Sequence, residues 1–176
     1  MTIRGCFIGL AIVSIFVMNI WPLSPVPVAT AETLKFRFFN HAVKAEIFPI
    51  PDVEGHFIVP NIREGAIILE NGELGWLKAI LINDLIRGTG PIDMYSTFTF
   101  QDGSTITIHS KGTLEAASQG APSVVKFDGD IIHGTVRFQG IKGTMTALAE
   151  SLPPEKGELV GKALGEVSLV YTLPSK

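Results

Sequence analysis

The chain is poor in the residues that most enzymes of its size rely on. It has one cysteine in 176 residues, Cys6, and that cysteine precedes an apolar run instead of ending it. A chain that discards this region has no thiol nucleophile, no iron–sulfur ligand and no thiolate zinc site. It also has no disulfide, so it must be stable on its buried core alone. Charge is scarce as well: 18% of residues are Asp, Glu, Lys or Arg, and the formal net charge is −3. With no basic block, the chain lacks the electrostatic footprint of a nucleic-acid or anionic-membrane surface. The 46% hydrophobic content excludes intrinsic disorder. No Gly-x-Ser-x-Gly elbow, phosphate-binding Gly-Lys-Ser/Thr loop or His-Glu-x-x-His helix is present, and no cofactor is expected. The four histidines, His41, His56, His109 and His133, are too far apart in sequence for one strand or helix to aim two of them at a metal, and no metal site is expected.

The N-terminus carries Arg4, the apolar run Phe7–Trp21 and a proline-broken stretch ending in Ala29-Thr30-Ala31 before Glu32. Small residues at 29 and 31 fit the pockets of a signal peptidase, so residues 1–31 are expected to be a Sec-type signal peptide and 32–176 a single exported domain, periplasmic or secreted. Cys6 precedes the apolar run, whereas a lipoprotein cysteine stands at the cleavage point. Once the signal is removed, no membrane attachment is expected.

From about Leu34 onward the pattern has period 2. Met94, Ser96, Phe98 and Phe100 share one strand face, and Tyr95, Thr97, Thr99 and Gln101 the other. Asp102-Gly103 and Asn71-Gly72 each separate two alternating runs, the strongest short-range hairpin signal, with a two-residue turn expected at Asp102-Gly103. Asp128-Gly129 reads as a third turn, ahead of a strand over Ile131–Gln139. Val167, Leu169, Tyr171 and Leu173 alternate with polar residues at the C-terminus, and Glu115–Ala121 has room for one short helical turn. The fold class expected is all-β, a small closed antiparallel barrel of about eight strands, with a β-sandwich as the rival architecture. Leu77–Leu85 is apolar on both faces, which predicts one face in the barrel interior and the other against a covering segment or a second subunit.

The segment Gly134-Thr135-Val136-Arg137-Phe138-Gln139-Gly140-Ile141-Lys142-Gly143-Thr144 resembles the Gly-Thr-Gly-Arg-Phe-x-Gly-Ile-x-Gly-Thr strand pair of allene oxide cyclase-like barrels, a superfamily that includes plant dirigent proteins and bacterial secreted proteins. Val53–His56, Arg63–Gly65, Glu70–Glu73, Phe100–Ser104 and Tyr171–Pro174 are similar to the bacterial members. The resemblance implies a barrel over most of residues 36–174 and a tendency to self-associate. It departs at Val136, where the pattern has glycine. The catalytic carboxylate and oriented water of the cyclases, and the acidic pocket residues of dirigent proteins, have no counterpart at matching positions, so fold carries over and activity does not.

The residues expected to contact a ligand are His56, Tyr95, Phe98 and Phe100. His56 follows Asp52-Val53-Glu54-Gly55, and a nearby carboxylate would tune its basicity, against the plainer reading of a solvated turn. Tyr95 supplies a hydrogen bond if its stripe faces inward; Phe98 and Phe100 supply a greasy wall or a filled core if theirs does. Glu70 and Glu73 read as solvated hairpin ends. The partner expected is a small hydrophobic or amphipathic molecule, with an isomerase or cyclase, or a structural role for the outer faces, as the alternatives.

Export makes a direct prediction. The exported protein begins at Glu32, Ala31→Trp blocks cleavage and leaves a membrane-held precursor, and Cys6→Ser changes nothing. The N-terminal mass of protein recovered from the periplasm or medium checks all three, and an intact Met1 on a membrane-embedded species would show an anchor instead.

Overall fold

A computed structural model describes residues 30–116 and 122–175. The expectations for residues 1–29, Ala29 and the apolar run among them, and for most of Glu115–Ala121 lie outside the described residues.

Among the described residues nine strands follow one another: β1 Glu32–Ala45, β2 Phe48–Pro49, β3 His56–Leu69, β4 Leu74–Ile86, β5 Gly90–Phe100, β6 Thr105–Glu115, β7 Ser123–Gly134, β8 Lys142–Ser151 and β9 Ala163–Thr172. From β3 to β9 each pairs antiparallel with its successor, and β1 pairs with both β3 and β9. Eight strands thus close into an up-and-down barrel, and β2 adds a two-residue ladder on β3. Closure removes the free sheet edges that an open meander leaves. In the seam between first and last strands, Glu32 pairs with Tyr171 and Asn40 with Ala163.

Alternation decides what fills the barrel. One end is packed by Phe36, Ile67, Phe98, Phe100, Ile106 and Leu169, all nearly inaccessible. Phe36 meets Phe98 edge-on at 4.8 Å between ring centroids, and such pairs contribute about 0.5–1.5 kcal/mol beyond their buried area. Phe138 closes this end against Phe100 and Tyr171. The Arg137 guanidinium lies over the Phe100 and Phe138 rings at 4.7 and 4.9 Å and donates to Glu73. Glu73 is therefore partly buried under an arginine, and not the solvated hairpin end its position beside Asn71-Gly72 suggested.

Both expected hairpins form, but each turn is one residue wider than a two-residue loop. Gly103 N–H donates to Phe100 O while Phe100 N–H donates to Ser104 O, and Gly72, Leu69 and Glu73 repeat the arrangement. The glycines close these turns in left-handed conformation, φ +78° and +84°. The Asp102 and Asn71 side chains accept the backbone N–H two residues on.

Asp128-Gly129 is not a turn. β7 runs straight through it, with Gly129 opposite Ser110 on one side and Met145 on the other. A Cβ at Gly129 would lie 2.5 Å from that of Ser110, so the glycine answers to close strand approach. The strand expected over Ile131–Gln139 also stops early. β7 ends at Gly134, and Val136–Phe138 is a single 3₁₀ turn that swings Phe138 inward. Val136 takes φ +53°, the left-handed region for which the resembling pattern supplies glycine. The inner face of Leu77–Leu85 is buried as expected. Its outer face, with Trp76, Ile80 and Ile82 more than half exposed, is covered by no described segment of the chain.

Val136 carries a measurable cost. Left-handed backbone disfavours a side-chain-bearing residue by about 1–2 kcal/mol, and the extra unfolded freedom of glycine takes back about 0.5–1 kcal/mol. Val136→Gly is expected to raise stability by about 0.5–1 kcal/mol, read as a higher urea midpoint at unchanged slope. A lower midpoint would show that Val136 is not strained.

Candidate functional site

Several inward positions toward the other end of the barrel are small. Ala79 on β4, Ser96 on β5, Ala147 and Ala149 on β8, and Ala163 on β9 stand where the packed end has Phe, Ile and Leu. Side chains of that size do not meet across an eight-stranded barrel, and a cavity of about 540 Å³ results. Phe98, Met145 and Val167 line its inner part, and Leu81, Ile92, Leu114 and Phe127 its walls. Over its mouth folds the β8–β9 connection, residues 152–162, which contributes Leu152, Pro153, Pro154, Leu159 and Val160. The connection is tied to itself by Lys162, which ion-pairs with Glu155 and Glu158, and by Leu152 N–H to Lys162 O.

Few polar groups face this space: Asn40 on β1, Arg63 on β3, Asn83 on β4, and the serines 96, 123 and 151. Arg63 is 7% exposed. Its Nε donates to Asn40 Oδ1 at 2.6 Å and an Nη donates to Gly161 O at 2.5 Å, linking β3 to β1 and to the covering connection. Burial lowers its pKa to about 10, with the Glu158 charge acting the other way, so the guanidinium remains charged at neutral pH. Gly65 opens the space for the first of these bonds: it pairs with Asn40, and a Cβ there would lie 1.9 Å from Phe39 O. Asn61 and Asn83 each bury a side-chain oxygen without a hydrogen-bond partner. Apart from Arg63 the described lining has no charged or histidine side chain.

The four residues expected from sequence are not brought together. Phe98 lines the cavity; Phe100 lies beyond it in the sealed end, beneath Arg137. Tyr95 is on the outer wall, half exposed and stacked on His109 at 4.3 Å, while His109 bonds Asp93. Its assignment to the ligand site is corrected on that ground: the Phe98 face took the interior, so the tyrosine stripe faces out. His56 lies at the mouth end without lining the cavity; its neighbour Phe57 does. The sequence reading missed Asn40, Arg63 and Asn83. The signal for Arg63 was its phase on β3, in step with Val59, Ile67 and Leu69, which are buried.

His56 is held more tightly than a solvated turn would hold it. Asp52 Oδ1 lies 2.6 Å from its Nδ1 and Asp84 Oδ1 2.7 Å from its Nε2. Only the imidazolium donates to both, so its pKa is raised above 6.5 by the bond to Asp84 and then by that to Asp52. The bond to His56 lowers the pKa of Asp52. The trio fastens the 50–55 turn to β4. Among the described residues no three His, Cys, Asp or Glu side chains converge as a metal site requires.

No protein-family model and no curated protein matches the chain. Among solved structures it is similar to a protein of unknown function from Clostridium acetobutylicum, with 14% identity, TM-score 0.50, and 82% of this chain and 99% of that chain covered. Two pterocarpan synthase dirigent proteins, GePTS1 and PsPTS1, align at 19% and 20% identity with TM-scores of 0.47 and 0.46. They cover 90% and 84% of this chain, and 100% and 97% of their own. The likeness is one of fold alone.

The His56 trio has a pH signature. A raised folded-state pKa contributes stability that is fully present below the unfolded value of about 6.5 and is lost as pH rises through the folded value. Stability of the wild type is therefore expected to fall over that window, and His56→Gln to flatten this part of the profile. An imidazole resonance titrating at or below 6.5 would remove the double bond.

Proposed function

We propose that this is an exported barrel protein that carries one small, largely apolar molecule in its lumen without transforming it. The observation that supports the reading is the cavity of about 540 Å³, within the range of roughly 300–1,000 Å³ typical of small-molecule sites. Its wall is apolar with a few placed polar groups, which is the composition such sites have. A second reading, an isomerase or cyclase that folds a reactive molecule in the lumen, draws support from Arg63, an ionisable group inside the cavity. An arginine that stays protonated stabilises negative charge but does not shuttle protons near neutral pH, and the described wall offers no carboxylate or imidazole to do so. Carriage is favoured for that reason. The apolar N-terminal segment supports export, and the described barrel begins with Glu32, the first residue after the expected cleavage point.

The uncharged fluorophore N-phenyl-1-naphthylamine tests the lumen. The protein purified without its signal is expected to bind it with micromolar affinity and blue-shifted emission. Ala147→Phe, which projects a ring into the cavity, is expected to weaken that binding at least tenfold while leaving the far-ultraviolet spectrum unchanged. Equal binding by both proteins would place the fluorophore on the outer wall and defeat the reading.

A further inference from the structure

Arg63 is an unusual group to find where it is. The cavity is walled by aliphatic and aromatic side chains, and Arg63 is its only charged side chain among the described residues. Its hydrogen-bond partners are a neutral amide oxygen and a neutral peptide oxygen. Among the described residues no carboxylate lies within ion-pair distance of it. The acid whose field it feels, Glu158, is already engaged: one carboxylate oxygen accepts Glu155 N–H and the other faces Lys162. A buried guanidinium left without a counter-ion is costly, because desolvation removes water without supplying opposite charge. It also has five N–H donors, of which the two neutral partners account for two.

We infer that Arg63 is the recognition point for an anionic group on the molecule held in the lumen, so that the ligand is an amphipathic carboxylate with its chain along the apolar wall and its head against the guanidinium. The inference rests on the carrier reading above and narrows it. Charge supports a carboxylate over a hydroxyl: a hydroxyl would repeat the neutral contacts already in place, whereas a carboxylate supplies the missing counter-charge and a planar acceptor pair for the guanidinium fork. Position supports it too, because Arg63 also holds Gly161 of the covering connection, so an anion bound there sits under the cover and out of bulk water. Asn40 completes the arrangement by orienting Nε without neutralising it, which an aspartate in its place would do.

The experiment is displacement of bound N-phenyl-1-naphthylamine by decanoate and by decanol, two chains of equal length that differ in head-group charge. Wild type is expected to prefer decanoate by about tenfold or more, the size of one charge-assisted contact. Arg63→Met is expected to abolish the preference. Asn40→Asp, which keeps the arginine and gives it an internal counter-ion, is expected to abolish it as well. This second variant keeps the test valid if Arg63→Met does not fold. Equal displacement by the two chains in wild type, or a preference that survives Asn40→Asp, overturns the anion inference and leaves the lumen carrier standing. Absence of fluorophore binding to wild type overturns both.

Discussion

The structure depends on the meeting of its first and last strands. From β3 to β9 each strand finds its partner next in sequence, so a meander forms from local pairings alone, but a meander is an open sheet with two free edges. Pairing of Glu32–Asn40 with Ala163–Tyr171 closes it, and only then is there an inside. Closure brings Asn40 of β1, Arg63 of β3 and the Gly161 carbonyl ahead of β9 into one hydrogen-bonded group. Tyr171 donates to Glu32 across the same seam, and burial together with that bond raises its pKa to about 12.

Within the closed barrel, side-chain volume divides the interior in two. Aromatic and branched residues fill the end that holds Phe36, Phe98, Phe100 and Phe138, and this end supplies the burial that a barrel with no cysteine among residues 32–176 needs. Alanine and serine take several of the equivalent positions toward the covering connection, where the wall stays apolar but its members no longer touch across the lumen. The cavity therefore follows from a gradient in residue size along the barrel axis, and the filled end holds the strands in register around the empty one.

Much of this was legible in the sequence. Alternation and the Asn-Gly and Asp-Gly signals gave the strands and hairpins because both are local. Asp128-Gly129 misled because a glycine demanded by a neighbouring strand looks the same in sequence as one demanded by a turn. The lumen was harder to read. On β3 the outward positions 58, 60, 62, 64, 66 and 68 are Ile, Pro, Ile, Glu, Ala and Ile, mostly apolar like Val59, Ile67 and Leu69, so the phase that Arg63 shares with those three was only a weak signal. On β5 the contrast between Phe98 and Thr97 made the division plain, and only its sense was open. Asp52 was visible beside His56, four residues away. Asp84 was not, since it arrives through the pairing of Ile58 with Asp84.

Trp76 gives the molecule an unusual optical property. It is the only tryptophan in residues 32–176, and it stands on the outer wall of β4, 65% exposed. Indole emission from the domain therefore reports the solvent along one side of the barrel and is insensitive to the polarity of the interior. A shift in the wavelength of that emission would register something settling on the outer surface along that side of the barrel.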